Sequence, residues 1–210
     1  MSTNHDPQWL QWARSLQAIA QNGLTFAEDA YNVERYEAVR QIAAEMMAAG
    51  SGAPVSQVLD LFGREVGYAT PKVDVRGVVF RDEALLLVKE LADGGWTLPG
   101  GWADVNESPS EAVAREVREE SGFEVRPAKL LAVFDRSKHG HRPPYPYHIY
   151  KLFLRCEIVG GSAETSSETG GAAFFRENEI PPLSISRVTP GQIARLFEHY
   201  RHPEWPADFD

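Results

Sequence analysis

The spacing of the apolar residues divides this chain near residue 67. In the first part these residues recur three or four positions apart, which predicts amphipathic helices over about residues 7–22, 29–49 and 55–66. Asn22 and Gly23 are expected to end the first of these helices. From residue 72 onward short β-rich runs follow, at about residues 73–80, 85–88, 130–134 and 148–156, before a last helix over about residues 190–200. The pattern predicts a small all-helical domain at residues 1–67 and an α/β domain at residues 68–210.

The charge of the chain argues against several classes of function. The net charge of −9 is the opposite of what a general nucleic-acid binder carries. The predicted helical domain itself has four Arg or Lys residues against eight Asp or Glu residues, so no binding to DNA is expected. No signal peptide and no apolar run of about 20 residues is visible, so we expect a cytoplasmic protein without membrane contact. The single cysteine, Cys156, excludes an intramolecular disulfide and is expected to be a buried strand residue.

The segment from Gly101 to Phe123 contains the signals of one well-defined helix. Ser108 and Glu111 form a capping box, and Pro109 occupies the first helical position. Gly122 stands where a left-handed residue closes a helix, so the helix is expected over about residues 109–121. The face that should be buried carries Ala112, Val113 and Val117.

Three glutamates share another face of this helix. Glu116, Glu119 and Glu120 stand at positions i, i+3 and i+4, where like charges cost a few tenths of a kcal/mol per pair. Such a row is compatible with a solvated helix face. The row is also a set of hard oxygen ligands of the kind that Mg²⁺ prefers. The glycines of the loop at residues 97–102 would allow the backbone of that loop to approach the same place closely.

Residues 101–123 resemble a complete Nudix box, which is Gly, five residues, Glu, seven residues, Arg-Glu, an aliphatic residue, one residue, Glu-Glu, one residue, Gly and an apolar residue. Every fixed position matches. The resemblance implies a Nudix αβα sandwich with a mixed sheet, here preceded by the helical domain. It implies a hydrolase that needs Mg²⁺, with Mn²⁺ as a substitute, and that cleaves the diphosphate of a nucleoside diphosphate derivative.

The resemblance also implies roles for individual residues. The metal ligands would be Glu116, Glu119, Glu120 and the carbonyl of Gly100. Glu107 would support these ligands, either in direct contact with the metal or from behind them. Arg115 would orient a glutamate through a charge-assisted hydrogen bond, which places it with Glu119 and Glu120 among the catalytic residues.

A carboxylate outside the box often serves as the general base in this family. The loop at residues 160–171 offers Glu168, the favoured candidate, and Glu164, while a glutamate of the box remains the third option.

Four basic residues outside the box are candidates for binding the substrate's phosphates. Arg76 and Lys89 lie on predicted strands near the glycine loop, where a solvated strand residue is an equal alternative. Lys138 and Arg142 lie in a basic, aromatic segment between two strands. That segment could either close over the substrate or form an ordinary exposed connection.

Residues 9–26 and 34–40 are similar to the helical domain of bacterial Nudix hydrolases that act on nucleoside diphosphates linked to another group. That resemblance implies ADP-ribose or CDP-choline as the substrate type. The predicted helices carry more apolar surface than three short elements can bury alone, so we expect the helical domain to serve dimerisation and substrate choice in a homodimer. His139 stands where one group of ADP-ribose enzymes has a proline, which keeps CDP-choline open. Nucleoside triphosphates, dinucleoside polyphosphates and capped RNA remain alternatives within the family. A non-catalytic ligand sensor is disfavoured because the box is intact.

Overall fold

The computed structural model describes residues 6–164 and 169–210, which divide into two compact units. The first unit comprises residues 6–71 together with Pro144–His148. The second comprises Lys72–Pro143 and Ile149–Asp210. The predicted order, helices first and then a mixed sheet between helices, is confirmed. No helix among the described residues has the length and apolarity needed to cross a membrane.

The first unit is built from three helices, α1 (Gln8–Phe26), α2 (Ala30–Ser51) and α3 (Val55–Gly63). Its core is formed by one side of each helix and includes Leu10, Ala13, Ala43, Ala44, Met47, Val58 and Phe62. Asp29 caps α2 by accepting a hydrogen bond from the Asn32 amide, and Gly52 closes it with a φ of 76°.

The prediction that α1 ends at Asn22–Gly23 is wrong, because the helix continues to Phe26. A Cβ at Gly23 would lie 2.3 Å from ring carbons of Tyr36 on α2. The glycine therefore permits two helices to approach closely and does not terminate the first one. The unit also holds Tyr145, whose carbonyl accepts a hydrogen bond from the Arg14 side chain.

The second unit contains a seven-stranded mixed sheet. The strands are β1 (Lys72–Arg81), β2 (Ala84–Glu90), β3 (Trp96–Thr97), β4 (Phe123–Asp135), β5 (Ile149–Gly161), β6 (Thr169–Phe175) and β7 (Asp208–Phe209). They lie in the order β3-β2-β1-β5-β4-β7, with β6 paired to β2. β1 runs parallel to β5, and β4 runs antiparallel to it.

β4 begins seven residues earlier than the predicted strand near residue 130. Its first half contains Pro127, which cannot donate a hydrogen bond to a neighbouring strand. The pairing of β4 with β5 accommodates this residue by a register shift between Pro127 and Lys129.

Two helices cover the two faces of the sheet. α4 (Pro109–Ser121) packs on one face through the predicted apolar residues Ala112, Val113 and Val117. α5 (Pro190–Arg201) packs on the other through Ile193, Leu196 and Phe197. Cys156 lies in the core under α4, as expected, and burial raises the pKa of its thiol to about 12, which keeps it unreactive.

Candidate functional site

The loop at residues 98–101 is fixed against β1 by its own carbonyl groups. Three of its four carbonyls accept hydrogen bonds from β1. The Arg76 side chain donates to Leu98 at 3.1 Å. The amides of Gly77 and Val75 donate to Pro99 and Gly101, each at 2.8 Å. Gly100 provides the fourth. No described residue donates a hydrogen bond to its carbonyl, which leaves that oxygen available to a ligand.

Gly100 could not be replaced by another residue without moving the loop. Its φ of 144° is rare for residues with a side chain, and a Cβ would lie 2.0 Å from the carbonyl oxygen of Val75. The Gly100 amide donates a hydrogen bond of 2.7 Å to Oε2 of Glu120. This bond joins the loop directly to the glutamate face of α4.

The sequence signals at the ends of α4 set the position of that face. Both hydrogen bonds of the capping box between Ser108 and Glu111 are present, and Gly122 closes the helix with a φ of 78°. Glu116 lies so close to the loop that a Cβ on Gly101 would stand 2.9 Å from its carboxylate oxygen. Two box glutamates thus meet the loop, while Glu119 is largely exposed.

Arg115 holds the carboxylates of this face together. Its Nε and one terminal nitrogen donate to both oxygens of Glu107, at 2.9 and 3.0 Å. Its other terminal nitrogen donates to Glu116 at 2.9 Å and to Glu119 at 3.1 Å. One guanidinium therefore orients three carboxylates, which is the kind of role that the resemblance implied for it.

The buried glutamates of the box are poorly solvated. Burial raises the pKa of Glu120 to about 7, although the charge of Arg76 and the hydrogen bond from Gly100 act in the opposite direction. Burial also raises the pKa of Glu116, against the effect of Arg115. A carboxylate in this condition gains more from a nearby cation than an exposed one does.

A buried charge cluster beneath the loop was not predicted. Asp74 accepts two hydrogen bonds from Arg76, at 2.9 and 2.6 Å, and one of 2.6 Å from Lys151 on β5. All three side chains are almost fully buried. Burial alone would raise the pKa of Asp74, but the two cations bring it down to about 2. The feature of the sequence that could have revealed this cluster is the pair Asp74 and Arg76, two opposite charges at alternate positions within the apolar strand Val73–Val79.

The four predicted phosphate-binding residues have different surroundings. Arg76 donates to Asp74 and Leu98 and so supports the loop. Lys89, Lys138 and Arg142 are exposed. Their contact with a substrate stays a prediction.

The two candidate bases outside the box also differ. Glu168 lies outside the described residues. Glu164 is exposed, and its amide donates to the carbonyl of Ser121 at the end of α4. Thr169, the residue after Glu168, donates its hydroxyl to the carbonyl of Glu120 at 2.8 Å.

The glutamate face has the chemistry of a site for a hard divalent cation. Across residues 6–164 and 169–210, no three acidic, histidine or cysteine side chains are already gathered so that they could hold a metal ion. The box carboxylates are bonded instead to Arg115 and Gly100. The donor set nevertheless fits such an ion, because carboxylate oxygens and a free backbone carbonyl meet at one loop.

Two family models together match most of the chain. A NUDIX domain matches residues 70–196. A second model, described as a UDP-X-like N-terminal oligomerisation domain, matches residues 7–62. A curated relative, the putative ADP-ribose pyrophosphatase YjhB of Bacillus subtilis, is 49% identical over 203 residues, which is 97% of each chain.

Solved structures agree with these matches. A crystal structure of UDP-X diphosphatase is 31% identical, with a TM-score of 0.63, and covers 96% of this chain and 98% of its own. A crystal structure of an ADP-ribose pyrophosphatase from Streptococcus suis is 38% identical, with a TM-score of 0.60. It covers 67% of this chain and 100% of its own, so the likeness to the diphosphatase extends over more of the sequence.

Proposed function

The chain belongs to the Nudix hydrolase family, and we propose that it cleaves the diphosphate bond of a nucleoside diphosphate linked to a second group. The products are a nucleoside monophosphate and a phosphorylated second group. Water attacks one phosphorus atom, the bridging P–O bond breaks, and a carboxylate takes the proton of the water. The observation that carries the proposal is the meeting of Glu116 and Glu120 with the loop of Gly100.

Nudix hydrolases generally use divalent metal ions, and we propose Mg²⁺ for this chain. The residues that would hold it are Glu116, Glu119, Glu120 and the carbonyl of Gly100. When bound, the ion neutralises phosphate oxygens and lowers the pKa of the attacking water. Arg115 would orient Glu116 and Glu119 through its hydrogen bonds to both carboxylates.

The general base is proposed to be Glu168. We expect Glu168→Gln to lower kcat by roughly 100-fold, within the range of a lost general base, with little change in KM. Glu164→Gln is the matched control, since it makes the same change four residues earlier in the sequence and should retain most of the activity. Steady-state kinetics of both variants over pH 5–9 distinguish the residues, because loss of the base also removes the acidic limb of the pH–rate profile. The reverse ranking would assign the base to Glu164, and two active variants would assign it to a box glutamate.

The substrate class is proposed from the two full-length likenesses, to the putative ADP-ribose pyrophosphatase YjhB and to a UDP-X diphosphatase. We expect ADP-ribose, CDP-choline or a UDP-linked sugar to be hydrolysed with a kcat/KM at least about tenfold above that of any nucleoside triphosphate, dinucleoside polyphosphate or capped RNA. Released nucleotide is measured for each compound with Mg²⁺ and with Mn²⁺. A triphosphate at the top of the ranking would contradict the proposed class, while an inactive panel would count against the hydrolase itself.

The helical unit is proposed to form a homodimer. Three apolar residues of α1 stand seven positions apart on one exposed stripe: Trp12, Ile19 and Phe26, with 57%, 54% and 69% of their surfaces exposed. A spacing of seven residues keeps side chains on one side of a helix. Tyr31 and Ile42 of α2 are exposed as well. The model that matches this part of the chain describes an oligomerisation domain, which makes a second copy the natural partner.

We expect Ile19→Glu/Phe26→Glu to halve the mass per particle in light scattering, because two charges cannot be buried in an apolar interface without partners. Substrate ranking should shift if this unit also influences substrate choice. Ser56→Glu/Gln57→Glu, which adds the same two charges to exposed positions of α3, should leave the mass unchanged. An unaltered mass in the α1 variant would show that the stripe is not the interface.

A further inference from the structure

The last turn of α4 carries two members of the glutamate face, Glu119 and Glu120. The last four carbonyls of an α-helix have no amide of the same helix to bond, so groups from outside must hold a buried helix end. Here the hydroxyl of Thr169 donates to the carbonyl of Glu120 at 2.8 Å. Thr169 itself has only 1% of its surface exposed. A buried strand residue therefore fixes the main chain of Glu120 from outside the helix.

A β-bulge turns the side chain of Thr169 toward α4. Val88 of β2 pairs with Ala172 of β6. Glu90, two residues further along β2, pairs with Thr169, which is three residues from Ala172. The extra residue of β6 puts Thr169 on the same face as Ala172, which packs in the core under α4, whereas regular alternation would turn it to the opposite face. Gly171 lies within the bulge with a φ of 140°, a conformation that favours glycine.

The strand β2 connects this anchor to the glycine loop. Val88 pairs with β6 and also with β3, so these two strands lie on opposite edges of β2. β3 ends at Thr97 and leads directly into the loop at residues 98–101. The Gly100 amide of that loop donates to Oε2 of Glu120 at 2.7 Å. Glu120 is thus bonded at its carbonyl to one neighbour of β2 and at its carboxylate to the loop that follows the other, so the sheet sets the spacing between the two bonds.

We propose that Thr169 is a positioning residue for Glu120. Its hydroxyl holds the last turn of α4 so that the carboxylate of Glu120 meets the loop of Gly100. The effect of Thr169 on metal binding rests on the proposed function, in which this carboxylate is a metal ligand. Its effect on the contact between Glu120 and Gly100 does not.

Hydrogen exchange of the Gly100 amide, followed by NMR in metal-free protein, tests the positioning without any substrate. Thr169→Val keeps the shape but loses the hydroxyl, so the Gly100 amide should exchange at least about tenfold faster as the helix end loosens. Thr169→Ser retains a hydroxyl and should stay within about threefold of the wild-type rate. The Gly77 amide, which donates to the Pro99 carbonyl of the same loop, should keep its rate in both variants.

Binding of Mn²⁺, followed by electron paramagnetic resonance, extends the test to the proposed metal site. Thr169→Val should weaken the affinity about tenfold, the scale of a lost group that orients a ligand, while Thr169→Ser should bind nearly as the wild-type protein does. Thr25→Val is the matched control. The Thr25 hydroxyl donates to the Gln21 carbonyl of α1 at 2.8 Å, so this variant loses a bond of the same kind and should keep its affinity.

Two results would overturn the proposal: an unchanged exchange rate of the Gly100 amide in Thr169→Val, or a Thr169→Ser variant as strongly affected as Thr169→Val. A wild-type protein that binds no Mn²⁺ would count against the proposed function alone, since the exchange of the Gly100 amide would still decide the role of Thr169. If Thr169→Val does not fold, Thr169→Ala removes the same hydroxyl with a smaller side chain, and the same measurements apply.

Discussion

Replacing Glu120 by glutamine is expected to lower kcat by at least about 100-fold, the scale of a lost metal or electrostatic contribution. The carboxylate lies on the face that meets the glycine loop, and its Oε2 accepts the Gly100 amide. Glutamine retains the shape and an oxygen for that amide, so the loop should stay in place while the proposed metal ligand loses its charge. Hydrolysis is measured at saturating Mg²⁺, and Mn²⁺ binding is followed by electron paramagnetic resonance.

The matched control for this variant is Glu111→Gln on the same helix. Glutamine also serves at the third position of a capping box, so α4 should keep its first turn and the enzyme its activity. Circular dichroism establishes that both variants are folded. Wild-type turnover in Glu120→Gln would remove the basis for the catalytic role of the whole glutamate face.

The helix that carries this face could be predicted closely because its signals are local. The capping box, the proline at the first position and the terminal glycine are all contained within fifteen residues, and each forms the contact that its residue type favours. The three-residue and four-residue spacing then determines which side chains share a face. Neither inference needs to know what the helix packs against.

Contacts between distant segments could not be read in the same way. In the sequence, Gly23 looks like the end of a helix. In the structure it lies against the ring of Tyr36, a contact that depends on how α1 packs on α2. Lys151 reaches Asp74 across 77 residues because β1 and β5 pair in parallel with Asp74 opposite Lys151. Strand register is set by packing of the whole sheet, so the sequence gives no direct indication of it.

The second prediction of a large effect concerns the buried cluster of Asp74, Arg76 and Lys151, which was not predicted from the sequence. Asp74→Asn is expected to lower the free energy of unfolding by about 3–5 kcal/mol, the cost of leaving buried charges without their partner. Asp74 is the carboxylate to which both Arg76 and Lys151 donate, so its loss leaves both side chains almost fully buried without the group that balances their charge. Urea-induced unfolding, followed by circular dichroism, measures the change.

The balance of charge in the cluster also leads to a prediction for Lys151. Lys151→Met removes one of two cations and leaves Asp74 and Arg76 as a paired ion with two hydrogen bonds. Burial also lowers the pKa of Lys151, so the lysine is already costly to keep charged at this position. We therefore expect Lys151→Met to cost less than half as much as Asp74→Asn. Equal losses of unfolding free energy in the two variants would mean that Lys151 stabilises Asp74 as much as Arg76 does. The hydrogen bond from Arg76 to the Leu98 carbonyl would then depend on all three residues together.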